Sequence, residues 1–183
     1  MTFRTPRLTV AVFVVTLAVT MMQLVWPEVL PALRRQPSMI AGGEVWRFVS
    51  AWLVHDEGVR QVAFNLTALA IAGTLIEFML GGAAWLIAYV GAGLAGEISG
   101  IFWQPVGAGN SVAVCGLIGA LAAWQVMRRD IPVIARLVFP PVCFAGALVL
   151  VVSSDIHGPP LLVGGAVGWA SKTLGGKGRN GLA

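Results

Sequence analysis

The 183-residue sequence is poor in charged residues, cysteine and histidine. Only 11% of its residues are charged, against about 25% in soluble domains, so a soluble fold could not cover its surface. Its two cysteines, Cys115 and Cys143, fall inside apolar runs and are expected to be free thiols, which excludes a disulfide scaffold. No His, Cys, Asp or Glu cluster has ligand spacing, so neither a metal nor a cofactor is predicted. The net charge of +4 is small and scattered and does not favour nucleic-acid binding.

Hydrophobic residues, by contrast, make up 57% of the chain. They form runs of the length that a bilayer-spanning helix needs, about 20 residues. We therefore predict an all-α membrane protein, a six-transmembrane-helix bundle forming one domain over residues 1–183, with the lipid bilayer as its surroundings. The predicted spans are residues 8–26, 59–80, 83–103, 110–127, 131–152 and 156–174.

The first span follows Arg4 and Arg7, as the apolar part of a signal peptide would. The residues after it, Gln23-Leu24-Val25-Trp26-Pro27, contain no convincing small-residue cleavage site. A retained membrane anchor is the favoured interpretation.

Basic residues set the expected orientation. Six spans place Arg4, Arg128, Arg129, Lys172, Lys177 and Arg179 on one side, which should be the cytoplasm. Both termini are then cytoplasmic, in a multi-pass protein of a prokaryotic plasma membrane. The loop of residues 27–58 breaks the pattern because it holds four arginines within or just beyond it, balanced by acidic residues. We interpret it as a folded, partly embedded segment on the outer side.

This topology gives two polar residues the same depth. Ser111 begins the fourth span and His157 begins the sixth, and both spans run from outside to inside. A serine and a histidine at matching levels suggest a nucleophile and its base, in a medium where polar groups are costly.

Short motifs in a fixed order accompany this pair. They are Trp46-Arg47 in the first loop, His55 before the second span, Asn65 and then Gly73 and Glu77 within it, Gly109-Asn110-Ser111 with Gly116 after it, and His157 with Gly164 and Gly168. In this order, over roughly residues 43–168, the chain resembles the rhomboid family of intramembrane serine proteases.

The resemblance implies a function and roles for these residues. The reaction would be hydrolysis of a peptide bond in or beside a transmembrane helix of a substrate protein. Ser111 would attack the carbonyl carbon, and His157 would accept the serine proton and pass it to the leaving amine. The Asn65 amide and the backbone N–H of Ser111 would hold the oxyanion.

Three positions depart from the family pattern. Gln61 stands where a histidine is usual, Val112 replaces the glycine after the nucleophile, and Cys115 replaces an aromatic residue. The Gln61 amide can donate a hydrogen bond as an imidazole does, so we expect it to replace the histidine at the oxyanion site. The same three residues support an alternative, a weak or inactive rhomboid-like protein that binds membrane helices. A small transporter is a third hypothesis, but the two halves show no convincing repeat.

The remaining motif residues are expected to be structural. Trp46 and Arg47 are interpreted as interfacial anchors of the first loop, and His55 as a residue that holds this loop. Glu77 should tie a helix end to a neighbouring loop, and Glu97 should pair with a polar neighbour. The glycines, including Gly116, Gly164 and Gly168, indicate close helix packing. Asp155 could orient His157, but its position favours a helix cap.

Overall fold

The structure is a computed structural model that describes residues 5–177, with side chains for residues 5–171. Of the basic residues used above, Arg4 and Arg179 lie outside the described residues, as do the side chains of Lys172 and Lys177. Within the described range all regular elements are helical, and the only extended pairing is an isolated antiparallel bridge between Arg35 and Gly107.

Nine α-helices are present between residues 5 and 177. They are α1 (Arg7–Val25), α2 (Val29–Leu33), α3 (Pro37–Ala41), α4 (Arg47–Ser50), α5 (Val59–Leu80), α6 (Gly82–Trp103), α7 (Ser111–Val126), α8 (Val133–Val152) and α9 (Gly158–Lys177). A 3-10 turn, Ala51–Leu53, follows α4, and α5 and α6 each contain one π-helical turn, at Leu69–Gly73 and Ile87–Gly91. Six of the helices are long, and the short ones all belong to the segment between α1 and α5.

Four helices of the described chain, α1, α5, α6 and α8, are long and apolar enough to cross a membrane. Helix α7 is apolar but has 16 residues. Large apolar side chains on the outside of α8, such as Leu137, Val142 and Val149, are two-thirds exposed. A surface of this kind is suited to lipid, and the chain is a multi-pass membrane protein. That all six long helices span the bilayer stays a prediction.

Helix α7 is the centre of the bundle. Most of its residues are buried, and its most extensive partner is α9. Its apolar side chains join a core that includes an aromatic group, in which Trp85 stacks on Tyr89 at 4.8 Å between ring centroids and Trp52 meets Tyr89 edge-on at 5.8 Å. The helix that begins with Ser111 is therefore held by neighbouring helices over most of its surface.

Helix α1 lies at the edge of the bundle and turns a polar stripe inwards. Its buried residues are Thr9, Thr16 and Thr20. The Glu77 carboxylate of α5 accepts hydrogen bonds from the backbone N–H groups of Leu8 and Thr9, at 3.0 and 2.9 Å, and from the Thr9 hydroxyl. Glu77 thus satisfies the first turn of α1, so its partner is a helix end and not the neighbouring loop that was predicted.

The segment between α1 and α5 folds around buried arginines. Arg47 is 4% exposed, and it donates to the Pro31 and Arg34 carbonyl oxygens at 2.8 and 2.9 Å and pairs with Glu44. The interpretation of Arg47 as an interfacial anchor is therefore wrong, because its guanidinium satisfies loop carbonyls inside the segment. Trp46 beside it is 54% exposed.

A second arginine of this segment, Arg35, reaches into the bundle. Its Nη1 donates to Glu97 Oε2 at 2.7 Å, and its Nη2 donates to the Gln104 carbonyl oxygen at 2.7 Å. Trp52 Nε1 donates to the other carboxylate oxygen of Glu97 at 3.1 Å. Glu97 therefore has the polar partners expected for it. The Arg35–Glu97 ion pair fastens the first loop to α6.

His55 joins the same loop to α1. Its Nδ1 lies 3.1 Å from Thr20 Oγ1, and its backbone N–H and C=O both bond to the Gln23 amide, at 2.9 and 2.5 Å. The side chain is 2% exposed, and burial lowers the pKa of His55 below its ordinary value of 6.5, although Asn110 and Asp56 oppose the shift. The contacts agree with a structural role for His55.

This lowered pKa predicts acid sensitivity. The folded protein keeps the His55 imidazole neutral, while the unfolded chain takes up a proton below about pH 6.5. The free energy of unfolding should therefore fall as the pH drops from about 6.5 through the folded-state pKa, and each kcal/mol lost lowers the thermal midpoint by about 2–4 °C. Thermal unfolding in detergent between pH 8 and 5 measures the effect. A fall of equal size in His55→Gln would assign it to another group.

Candidate active site

Ser111 is the first residue of α7, and the backbone before it is tightly held. Gly109 has φ +128°, a conformation that L side chains rarely adopt, and its N–H donates to the Ala51 carbonyl oxygen at 2.9 Å. Two residues earlier, Gly107 pairs with Arg35 through the isolated bridge. These contacts fix the point at which α7 begins.

His157 is delivered by the turn between α8 and α9. Helix α8 ends at Val152, and Ser154, just beyond its C-cap, adopts a left-handed conformation with φ 57°. Two bonds close the turn, from the Ser154 N–H to the Val151 carbonyl and from the Asp155 N–H to the Leu150 carbonyl, as in a Schellman motif. His157 then directly precedes α9.

The two side chains meet. His157 Nε2 lies 2.8 Å from Ser111 Oγ, within hydrogen-bonding distance. The other ring nitrogen, Nδ1, lies 2.6 Å from Asp155 Oδ1. An arrangement in which the serine hydroxyl donates to a ring nitrogen is the one that a general base needs for activating a nucleophile.

Glycines bring the two helices into backbone contact. A Cβ built on Gly164 of α9 would overlap with the Gly116 carbonyl oxygen of α7, and one on Gly168 would overlap with the Ala120 carbonyl. In the other direction, a Cβ on Gly119 would overlap with the Leu161 carbonyl. Small residues let membrane helices approach this closely. The expected packing role of Gly164 and Gly168 thus sets the separation of Ser111 and His157, whereas Gly116 lets α7 approach α6, because a Cβ built on it would overlap with the Ala88 carbonyl oxygen.

A cavity of about 490 Å³ opens beside Ser111 and His157. Its wall combines charged, polar and apolar side chains from α5, α7 and the residues before α5 and α9. The lining residues are Glu57, Arg60, Gln61, Phe64, Asn65, Ser111, Val114, Cys115, Ile118 and His157. Water and an extended peptide segment could both reach the serine from this side.

Asn65 and Gln61 lie one turn apart on α5 at this cavity. Asn65 is 2% exposed, and its Nδ2 has no hydrogen-bond partner among the described residues. It faces Gly109, where a built Cβ would lie 3.3 Å from this nitrogen. Gln61 Nε2, in contrast, donates to the Ala108 carbonyl oxygen at 3.0 Å, and its Oε1 accepts the Glu57 N–H at 3.1 Å. Gln61 therefore holds in place the irregular backbone segment that precedes Ser111.

The other two unusual residues have different surroundings. Val112 is 1% exposed, and its side chain occupies the space beside Gly96 of α6. Cys115 lies one turn after Ser111 and lines the cavity, where an aromatic ring would reduce the open volume. Compared with the residues usual in the family pattern, Cys115 thus leaves the site wider, and Val112 fills space in the core.

The structure brings Ser111, His157, Asn65 and Gln61 to one place, together with Gly109, and keeps Trp46, Arg47 and Glu77 away from it. Trp46 and Arg47 belong to the first loop, and Glu77 to the opposite end of α5. Sequence reasoning undervalued Asp155, which contacts the histidine ring. Its signal was the Asp-x-His spacing, which fits a cap and a ring contact equally well. Among the described residues no group of three His, Cys, Asp or Glu side chains could hold a metal ion.

Comparison with known proteins identifies related sequences. A family model described as Rhomboid domain matches residues 42–175. The chain is 39% identical over 88 residues to Rhomboid protease GluP of Bacillus subtilis (strain 168), covering 48% of this chain and 17% of that protein. It is 32% identical over 95 residues to a protein of the same strain named "Putative rhomboid protease YdcA", covering 50% of this chain and 47% of that protein. The chain thus spans less than half the length of either relative.

Proposed function

The chain belongs to the rhomboid family, and from this premise we propose that it is an intramembrane serine endopeptidase using Ser111 and His157. The observation that carries the proposal is the 2.8 Å contact between Ser111 Oγ and His157 Nε2 at the wall of an open cavity. A serine used only for helix packing would not need a histidine partner from another helix facing a cavity.

The chemistry follows from these atoms. Ser111 Oγ attacks the scissile carbonyl carbon while its proton passes to His157 Nε2. The tetrahedral adduct collapses as Nε2 returns this proton to the leaving amine, which leaves an acyl ester on Ser111. A water molecule from the cavity then attacks the ester, with His157 again accepting and returning the proton. The serine is regenerated, and the carboxylic acid product departs.

Two donors support the oxyanion. As the first residue of α7, Ser111 has a backbone N–H without an intrahelical partner, at the positive end of the helix dipole. The unpartnered Nδ2 of Asn65 is the second donor. Losing one such donor typically costs about 10²–10³ in rate. Gln61 contributes by holding the Ala108 carbonyl, which keeps the loop before Ser111 in place.

The substrate class and topology belong to the same proposal. Substrates are transmembrane proteins, cleaved where a helix unwinds into the cavity. Six spans and the positive-inside rule place both termini in the cytoplasm, and the membrane is a prokaryotic plasma membrane. In this orientation the helix ends that carry Ser111 and His157 face the outer side.

The test uses protein reconstituted in liposomes and a synthetic single-span peptide with a fluorophore and a quencher around the outer end of its span. We expect cleavage by the wild-type protein and a loss of about 10⁴-fold or more in Ser111→Ala and in His157→Ala. A fluorophosphonate probe should label Ser111 only when His157 is present. The control, Ser153→Ala, changes an exposed serine at the end of α8 that bonds only to Val149 and Leu150 carbonyl oxygens.

A rhomboid-like protein that binds membrane helices without cutting them is the second candidate. It is favoured by the Gln61 amide, which already bonds to Ala108 instead of pointing a free imidazole-like donor at the cavity. This candidate predicts no labelling of Ser111 and no cleavage, while the single-span peptide still co-purifies with the protein. Cleavage that persists in Ser111→Ala would instead contradict the mechanism.

A further inference from the structure

Both nitrogens of the His157 ring are engaged. Nε2 faces Ser111 Oγ at 2.8 Å, and Nδ1 faces Asp155 Oδ1 at 2.6 Å. A carboxylate oxygen can only accept, so the proton of a neutral His157 ring must be on Nδ1. Nε2 then has a free lone pair, and the serine hydroxyl donates to it. This is the tautomer that a general base requires.

The carboxylate itself is held in place by the backbone. Asp155 Oδ1 also accepts the His157 backbone N–H at 2.9 Å. The Asp155 N–H in turn bonds to the Leu150 carbonyl oxygen at 2.8 Å, in the turn where Ser154 adopts φ 57°. One oxygen therefore links the backbone and the ring of the same histidine, and a rigid turn fixes this oxygen to the end of α8.

The carboxylate is ionised at neutral pH. Partial burial favours the protonated form, but hydrogen bonds from the His157 backbone and ring, together with the Gln104 side chain, outweigh it and lower the pKa of Asp155 below its ordinary value of 3.8. The Asp155 and His157 side chains are each about one-third exposed, at 31% and 32%. A negative charge next to Nδ1 stabilises the imidazolium that forms when Ser111 is deprotonated.

A backbone cap alone does not account for these contacts. Helix α9 begins at Gly158, so Asp155 precedes its first turn and bonds to the N–H of His157, the residue before the helix. A serine could supply that bond equally well. The additional contact to Nδ1 needs the longer carboxylate and serves the ring.

We propose that Asp155 is a positioning residue that converts the Ser111–His157 pair into a triad by holding His157 protonated at Nδ1 and facing the serine. This inference rests on the proposed peptidase function. It adds a third residue to the pair, and this residue comes from the turn that also delivers the base.

The experiment compares Asp155→Ser, Asp155→Asn and Ser153→Ala. Serine can keep the bond to the His157 backbone but is too short for the ring. Asparagine keeps an acceptor oxygen for both donors and loses the charge. Ser153→Ala, in the same turn, touches neither and serves as the matched control. Each protein is assayed with the single-span peptide and the fluorophosphonate, and its ring nitrogens are observed by NMR after selective ¹⁵N-histidine labelling. Because the chain has two histidines, a His55→Gln background leaves the His157 signals alone.

We expect Asp155→Ser to lower kcat by about 10²–10⁴ with KM unchanged, and its ¹⁵N spectrum to lose the single Nδ1–H form. Asp155→Asn should keep this form and lower kcat by about tenfold, because a neutral acceptor stabilises the imidazolium less. The control, Ser153→Ala, should match the wild-type protein in its kinetic constants and in its ¹⁵N spectrum. Wild-type kinetics and an unchanged spectrum in Asp155→Ser would overturn the inference.

The spectrum also separates this inference from the proposed function. If the wild-type protein neither cleaves the peptide nor reacts with the probe, the peptidase proposal fails. The ¹⁵N spectrum of the His157 ring then decides the positioning role of Asp155 by itself. An Nδ1–H form that depends on Asp155 supports this role, and an Nε2–H form in the wild-type protein refutes it.

Discussion

Adding a single methyl group at Gly164 is expected to separate α7 from α9 and abolish activity. The Cβ of Gly164→Ala would overlap with the backbone carbonyl of Gly116, which cannot rotate away as a side chain would. The helices must move apart, and overpacking of this kind costs about 3 kcal/mol. Because Ser111 and His157 stand on the two helices, a shift of about 1 Å should also slow labelling by the fluorophosphonate at least about 10²-fold.

Gly146 supplies the matched control for this substitution. It also lies within an apolar helix, α8, but a Cβ built on it meets nothing within 4 Å. Gly146→Ala should leave the labelling rate unchanged and stabilise the helix by up to about 1 kcal/mol. Thermal unfolding in detergent and the rate of probe labelling measure both variants. Equal behaviour of Gly164→Ala and Gly146→Ala would show that the bundle tolerates a wider α7–α9 spacing.

Removing one charge of the Arg35–Glu97 pair is expected to destabilise the protein by about 3–5 kcal/mol. Both side chains are 2% exposed, so Glu97→Gln leaves the Arg35 guanidinium buried without its counter-ion. The loss should also loosen the Arg35–Gly107 bridge and with it the backbone leading to Ser111. The free energy of unfolding and the probe-labelling rate should therefore fall together.

Two further variants test the explanation. Replacing both partners, as Arg35→Met with Glu97→Leu, should recover much of the stability, because no unpaired charge is left in the interior. Arg128→Gln removes an arginine that pairs with Asp130 at the surface, where solvent screens the interaction, and it should behave as the wild type does. A Glu97→Gln protein as stable as Arg128→Gln would mean that water reaches Arg35.

The sequence was informative for features that depend only on hydropathy and on the order of motifs along the chain. Hydropathy predicted an all-helical membrane protein, and the motif order predicted its family, which the match over residues 42–175 confirms. The similar depth of Ser111 and His157 was predicted because two spans that run in the same direction begin on the same side of the membrane. Their direct contact was implied by the resemblance to the family. The catalytic roles of these residues stay predictions until the substitutions are measured.

What escaped prediction depends on how the first loop folds. The partner of Glu97 is Arg35, 62 residues away, and an irregular segment has no periodicity from which such a contact can be read. Arg47 was misplaced at the membrane interface for the same reason: only the folded loop supplies the carbonyl groups that its guanidinium binds. For Gln61, donation to an oxyanion stays a prediction, and in the structure its amide donates to the Ala108 carbonyl oxygen.

The threonine stripe of α1 has a consequence for assembly. Apolar burial supplies little attraction between helices that are already dissolved in hydrocarbon, so α1 is attached by van der Waals packing and by hydrogen bonds to its neighbours. Leu8, Val12 and Phe13 pack against the core. The polar inward contacts are Thr9 to Glu77 at one end and Thr20 to His55 at the other, while the outward side of α1 is apolar. The helix is amphipathic in the sense opposite to a helix of a soluble protein. The N–H groups of Leu8 and Thr9 lie in the first turn of α1, where no intrahelical acceptor exists, so only the packed bundle supplies their acceptor, the Glu77 carboxylate.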